Sequence, residues 1–175
     1  LHDALPIFAF DQPWEGPGSS AYNSVFFDGE KYRLYYRACA QKTAKEKGDL
    51  STAQYTCLAL SDDGIHWEKP ELGLVEFEGS TKNNILLSGI MSHNFSPFLD
   101  TNPACAPEAR YKAVAGHIST GLVAYQSADG IHWSKMQEEP IIRDGALDSQ
   151  NLCFYDPNID GYQCYSRYFA RPIDW

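Results

Sequence analysis

The sequence predicts an all-β fold made of repeated antiparallel sheets, and three observations predict it. The motif Ser-x-Asp-Gly-Ile-His-Trp occurs at 61–67 and again at 127–133, an offset of 66 residues. A second element occurs three times: Val25-Phe26-Phe27-Asp28 leading to Tyr32, Pro97-Phe98-Leu99-Asp100 leading to Tyr111, and Cys153-Phe154-Tyr155-Asp156 leading to Tyr162. Each copy is an apolar triplet, an Asp-led turn and a Tyr that opens an alternating strand. Finally, aromatic residues make up 14% of the chain, and flat side chains fit a pleated, half-buried surface.

Taken in order, each piece reads as part of a β-hairpin. Asp28-Gly29, Asp63-Gly64 and Asp129-Gly130 can take the positive φ angles of tight turns, and Asp156-Pro157-Asn158 opens a longer one. Tyr32–Arg37, Tyr111–Gly116 and Tyr162–Arg167 are short and apolar, as strands buried on two faces are. Turn length varies between copies while strand length does not, which is how hairpins with tolerant tips differ. A unit is therefore an inner strand, a hairpin, a second strand, a linker, a third strand, the Ser-x-Asp-Gly turn and a fourth strand. Four antiparallel strands recurring along a chain are the blades of a β-propeller. The expectation is about two and a half blades: 8–88, 89–146 and an incomplete third over 147–175. A β-sandwich of two similar halves explains a duplication but not the third copy. No stretch sustains a 3.6-residue period; polar, Lys-rich Gln41–Asp49 reads as a solvated loop or a short helix. Residues 1–7 match one reading frame of a sequencing-library adapter and are set aside as a scar, which predicts a gene fragment.

Composition excludes some partners. The net charge of −9 argues against a nucleic-acid partner, which needs clustered Lys and Arg. No apolar run approaches the roughly 20 residues of a membrane span. The five cysteines, Cys39, Cys57, Cys105, Cys153 and Cys164, have no zinc-type spacing, and no metal or cofactor is expected. Cys153 and Cys164 fall on strands expected to pair, so a cross-strand disulfide or two free, packed thiols remain open alternatives. Location also stays open, with a secreted or periplasmic site favoured.

The Ser-x-Asp-Gly-Ile-His-Trp turns resemble a shortened Asp-box. The run from Ser61 to Leu86, followed by His93-Asn94-Phe95-Ser96-Pro97-Phe98-Leu99-Asp100, resembles bacterial proteins related to the five-bladed propellers of glycoside hydrolase families 32 and 43, the invertase-like and arabinanase-like enzymes. The resemblance covers nearly all of 14–170 and implies a partial five-bladed β-propeller with a sugar bound in an axial funnel. It also implies two Asp and one Glu on the inner strands of the first three blades, serving a charge-separated, oxocarbenium-like transition state. Position by position, the first Asp falls at Ser20, the second at Ser96, and only Asp148 stands where the acid would. Asp11, Glu15 and Asp144 are alternative sources of a carboxylate.

The residues ahead of each apolar triplet are polar without the analogy: Tyr22 and Asn23, then His93 and Asn94, then Asp148, Gln150 and Asn151. Equivalent blades would bring such starts to one end of the axis, and these groups suit a neutral polyol. The expected site is thus Asp148 as catalytic acid, with Tyr22, Asn23, His93, Asn94, Gln150 and Asn151 contacting a sugar or oligosaccharide. Trp67, Trp133, His66 and His132 repeat with the scaffold motif and are expected to pack rather than bind. The leading function is glycoside hydrolysis. A non-catalytic carbohydrate-binding propeller, or a scaffold propeller, is the alternative, motivated by Ser20 and Ser96.

Overall fold

The computed structural model describes residues 7–17, 19, 22–40 and 54–168; Ser20 and the stretch 41–49 lie outside them, as do residues 1–6 of the segment that the sequence reading set aside. The chain divides into two compact units, Leu1–Ser88 and Gly89–Trp175. The first holds one antiparallel sheet of β1 (Ser24–Phe27), β2 (Tyr32–Cys39), β3 (Gln54–Ser61) and β4 (Ile85–Ser88), in that order. The second holds a sheet of β5 (Ser96–Leu99), β6 (Tyr111–His117), β7 (Gly121–Ser127) and β8 (Ser134–Lys135), and a hairpin of β9 (Leu152–Asp156) and β10 (Gly161–Tyr165). Helix among the described residues is limited to the 3-10 turns Ile90–His93 and Pro107–Ala109.

Two strands of the first sheet are buried on both faces, which is why they read as near-continuous apolar runs. Tyr35, Tyr36, Cys57, Leu58 and Ala59 are almost wholly buried, and each large apolar side chain so buried contributes about 1.5–3 kcal/mol. The segment before β1 lies on this sheet: Phe8 and Phe10 set their rings against Tyr36 at 5.0 and 5.5 Å, and Trp14 joins the same core. Glu15 anchors the segment. Its buried carboxylate accepts from Lys69 Nζ at 2.6 Å, from the Asp11 and Gln12 amides at 2.8 and 3.0 Å, and from the Tyr36 hydroxyl. Burial holds the Tyr36 hydroxyl far above its usual titration range, so it stays a donor. A buried charge is tolerated when its lone pairs are filled in this way.

The repeats seen in the sequence recur as hydrogen-bond devices. In all three Asp-led turns, Oδ1 accepts the backbone N–H two residues on: Asp28 from Glu30, Asp100 from Asn102, and Asp156 from Asn158, each at 2.9 Å. Oδ2 of each then takes the side chain just after the strand-opening Tyr, from Arg33, Lys112 and Gln163 respectively. One carboxylate thus sets the turn and ties it to the returning strand, whatever the length of loop between. Within the second unit, the Tyr162 hydroxyl also donates to Asp100 Oδ2 at 2.6 Å, joining the hairpin to its neighbouring sheet.

The two Ser-x-Asp-Gly turns are equivalent bond for bond. Ser61 Oγ accepts from the Gly64 amide at 2.8 Å, and Ser127 Oγ from the Gly130 amide at 2.9 Å. Oδ1 of Asp63 accepts the Ile65 and His66 amides, and Oδ1 of Asp129 those of Ile131 and His132, all at 2.8 Å. The bridges beyond them, Leu60 to Glu68 and Gln126 to Ser134, keep the same offset. His66 and His132 each meet the turn carboxylate at 2.7 Å. Trp67 packs on the first core, while Trp133 sets its edge against Phe95 at 5.1 Å and donates to Gly130 O.

These turns carry a pH dependence. The His66 ring and the His66 and Ile65 amides hold the Asp63 carboxyl well below the usual range. At Asp129, partial burial opposes the charge, but the His132 ring and the His132 and Ile131 amides outweigh it. A carboxyl depressed on folding contributes stability above its unfolded value of about 4 and loses it as pH falls through the folded value. Acid titration followed by amide exchange should therefore open both turns together, well below about pH 4. Opening of either turn between pH 5 and 7 would contradict the assignment.

Candidate functional site

The strand registers give the polar residues ahead of each first strand a common position. β1 begins with Ser24 opposite Tyr35, β5 with Ser96 opposite Val114, and β9 with Leu152 opposite Tyr165. Continued one rung earlier, the same registers would set Tyr22 opposite Arg37, Asn94 opposite Gly116, and Gln150 opposite Arg167. In the first unit the Arg37 guanidinium lies 4.9 Å over the Tyr22 ring. Tyr22 also holds a φ of 56°, a left-handed backbone that an L side chain adopts at a cost of about 1–2 kcal/mol. Asn23 beside it is exposed.

In the second unit the rung is completed by a side chain instead of a backbone. Asn94, fully buried, accepts the Gly116 amide on Oδ1 at 2.9 Å and donates through Nδ2 to the Leu147 and Ser149 carbonyls at 2.7 Å. Asn151, also fully buried, donates to the same two carbonyls at 3.1 and 2.9 Å. His93 Nε2 donates to the carbonyl between them, Asp148 O, at 2.9 Å. Three consecutive carbonyls of the loop before β9 are thus gripped from the strand heads on either side. Gly116 is closely packed here: a Cβ on it would come within 3.0 Å of Leu122 Cδ1 and 3.2 Å of Leu147 Cβ. At its far end the loop is tied to the residue opposite Gln150, by the Ala146 amide to Arg167 O at 2.9 Å.

This grip presents the Asp148 side chain. Its carboxylate accepts from Arg167 Nη2, and the pair is part-exposed, 38% and 47% respectively. Two polar atoms nearby in sequence, Ser92 Oγ and Asn151 Oδ1, are buried with no hydrogen-bond partner.

The expected site residues therefore separate into two kinds. Asn94 and Asn151 are buried and committed to backbone. His93, Asp148 and Gln150 are part-exposed. Tyr22 and Asn23 belong to the first unit. Glu15, an alternative acid, is occupied by the N-terminal anchor, and Asp11 binds Lys69 at 2.8 Å. Ser96 is buried at the head of β5. Arg37 and Arg167 were not singled out from sequence; Arg37 lies within β2, and Arg167 follows β10 by two residues. A groove of about 750 Å³ is lined by Asp100, Asn102, Cys105, Glu108 and Arg110, but it lies at the other end of β5, among turn residues already bonded to one another. Among the described residues no group of three His, Cys, Asp or Glu side chains gathers as a metal site would, and no helix is long and apolar enough to cross a membrane.

Comparison with solved structures decides the architecture. The chain is similar to a fructofuranosidase from Schwanniomyces occidentalis solved in complex with fructosylnystose, with a TM-score of 0.54 and 17% sequence identity over 92% of this chain. The fold is a β-propeller. The likeness covers 32% of the fructofuranosidase chain, so the propeller segment here spans about a third of that protein's length. No protein-family model matches the chain, and no curated protein does. In propeller terms, each of the two four-stranded sheets is a blade.

Proposed function

We infer that this chain belongs to a carbohydrate-active propeller, and that the activity is hydrolysis of a glycosidic bond in a sugar bound at the strand heads. The observation that carries the reading is the gripped loop. Three side-chain donors, on Asn94, Asn151 and His93, hold consecutive carbonyls so that a carboxylate, Asp148, is presented at the head of an inner strand. Preorganisation of this kind is what positions a catalytic group. The groups around it are amide, imidazole, guanidinium and carboxylate, which suit the hydroxyls of a neutral sugar, and the net charge of −9 disfavours an anionic polymer. In this reading Asp148 exchanges a proton with the leaving oxygen, Arg167 orients its carboxylate, and His93 and Gln150 contact sugar hydroxyls. Asn94 and Asn151 position the loop. By the equivalence of rungs, Tyr22 and Asn23 are the first blade's counterparts of this set.

A second reading rests on one specific observation: Ser96 stands where the resembling enzymes carry an acid, which favours sugar binding without turnover. The test is a panel of fructans, arabinans and their oligosaccharides, followed by calorimetry for binding and reducing-end release for cleavage. Binding with cleavage supports the hydrolase. Binding alone transfers the assignment to the second reading. Failure of every sugar to bind removes both.

A further inference from the structure

The β9–β10 hairpin carries two thiols that neither the sugar site nor the core requires. Cys153 and Cys164 are direct register partners across the antiparallel pair. Opposed residues share a face of the sheet, and their Cα atoms lie about 4.5–5.5 Å apart, inside the roughly 4.4–6.8 Å that a disulfide spans. Both are half-buried, both are free, and both pack against Val114, Leu122 and Leu147. Cys39 and Cys57, by contrast, are buried in the first blade, and Cys105 is bonded by Lys112 Nζ at 3.2 Å.

We propose that Cys153 and Cys164 form a dithiol–disulfide couple, a modification site that takes a small disulfide or a thiol–disulfide oxidoreductase as its partner. The two sulfurs are not equivalent. The Cys153 thiol donates to the Cys164 sulfur, which lowers the Cys164 thiol to about 7 and, with partial burial, pushes Cys153 up. Cys164 is therefore the attacking group, since the thiolate is the nucleophile. It displaces one sulfur of the partner disulfide as a thiolate and forms a mixed disulfide. Cys153 then attacks the Cys164 sulfur, passes its proton to the departing thiolate and releases the second partner thiol. Two cysteine thiols are oxidised to one disulfide and one partner disulfide is reduced to two thiols. Closure staples β9 to β10 beside Leu147, and so braces the loop that carries Asp148. The proposal stands independently of the sugar reading, since it needs only the hairpin.

The test equilibrates the 175-residue chain with glutathione buffers of stepped reduced-to-oxidised ratio, then alkylates, digests and weighs the peptides. The expected result is a linked Cys153–Cys164 peptide in oxidising buffer, with Cys39, Cys57 and Cys105 alkylated on unfolding. Alkylation of Cys164 in the reduced chain should set in at lower pH than that of Cys153. Cys153→Ser should accumulate glutathione on residue 164, where no second thiol remains to resolve the mixed disulfide. Full alkylation of both wild-type cysteines at the oxidising limit would overturn the proposal, as would linkage of either to another cysteine. The wild-type measurement decides even where a variant does not fold.

Discussion

Replacing Asp148 by asparagine in the intact protein is expected to lower glycoside turnover by at least about 100-fold, the scale of a lost general acid–base group, while sugar affinity changes by no more than a few-fold. The substitution keeps size and leaves an oxygen that can accept from Arg167, so the ion-paired geometry of the loop survives as a hydrogen bond. What is removed is the ability to carry a transferable proton. The loop itself is held through main-chain carbonyls by His93, Asn94 and Asn151, none of which depends on the Asp148 side chain. A folding defect is therefore not expected, and a loss of rate is chemical. The check is kcat and KM for the best substrate of the panel, with calorimetric affinity measured alongside. Unchanged kcat would remove Asp148 from the mechanism, and a collapse of affinity with kcat intact would recast it as a binding residue.

The largest stability effect is expected at Asn94. Asn94→Leu preserves bulk but deletes one acceptor and two donated bonds inside the second unit. The Leu147 and Ser149 carbonyls keep Asn151 as a partner, so the group left bare is the Gly116 amide, at the rung beyond the end of β5. An unsatisfied buried N–H costs about 1–3 kcal/mol, and the two weakened carbonyls add about 1 kcal/mol each. A total loss of about 3–5 kcal/mol is a large share of the margin of any domain. Denaturant unfolding should show that loss, and amide exchange should show Gly116 losing protection first. Asn151→Leu provides the contrast: its Oδ1 is already unpartnered, so its removal should cost clearly less. Equal costs at the two positions would mean that the Gly116 bond is not what holds the loop.

Much of this was legible in the sequence because the repeats obey local rules. Asp28, Asp100 and Asp156 lead turns whose carboxylate bonds reach only two residues ahead and then to the residue after a Tyr. Ser61 with Asp63, and Ser127 with Asp129, close turns entirely within their own motif. Such interactions depend on short separations along the chain, and short separations are what a sequence displays. The alternation of polar strand heads with apolar triplets was visible for the same reason, and so Tyr22, Asn94 and Gln150 could be found before their common rung was known.

Other features depended on partners far apart in the chain. Asn94 and Asn151 were read as sugar contacts, yet each is wholly buried and spends its donors on carbonyls, because a loop entering an inner strand leaves backbone groups that no strand satisfies. Arg167 could be matched to Asp148 only once β10 returned beside β9. Glu15, one of the possible acids by sequence, is filled by Lys69, a residue 54 positions away. By itself, then, the sequence determined the antiparallel blade, its turns and the position of its polar strand heads, all set by local backbone chemistry. Tertiary structure alone decided which of those polar groups are buried against backbone and which stay part-exposed, because that depends on which distant carbonyls and charges the folded chain brings against them.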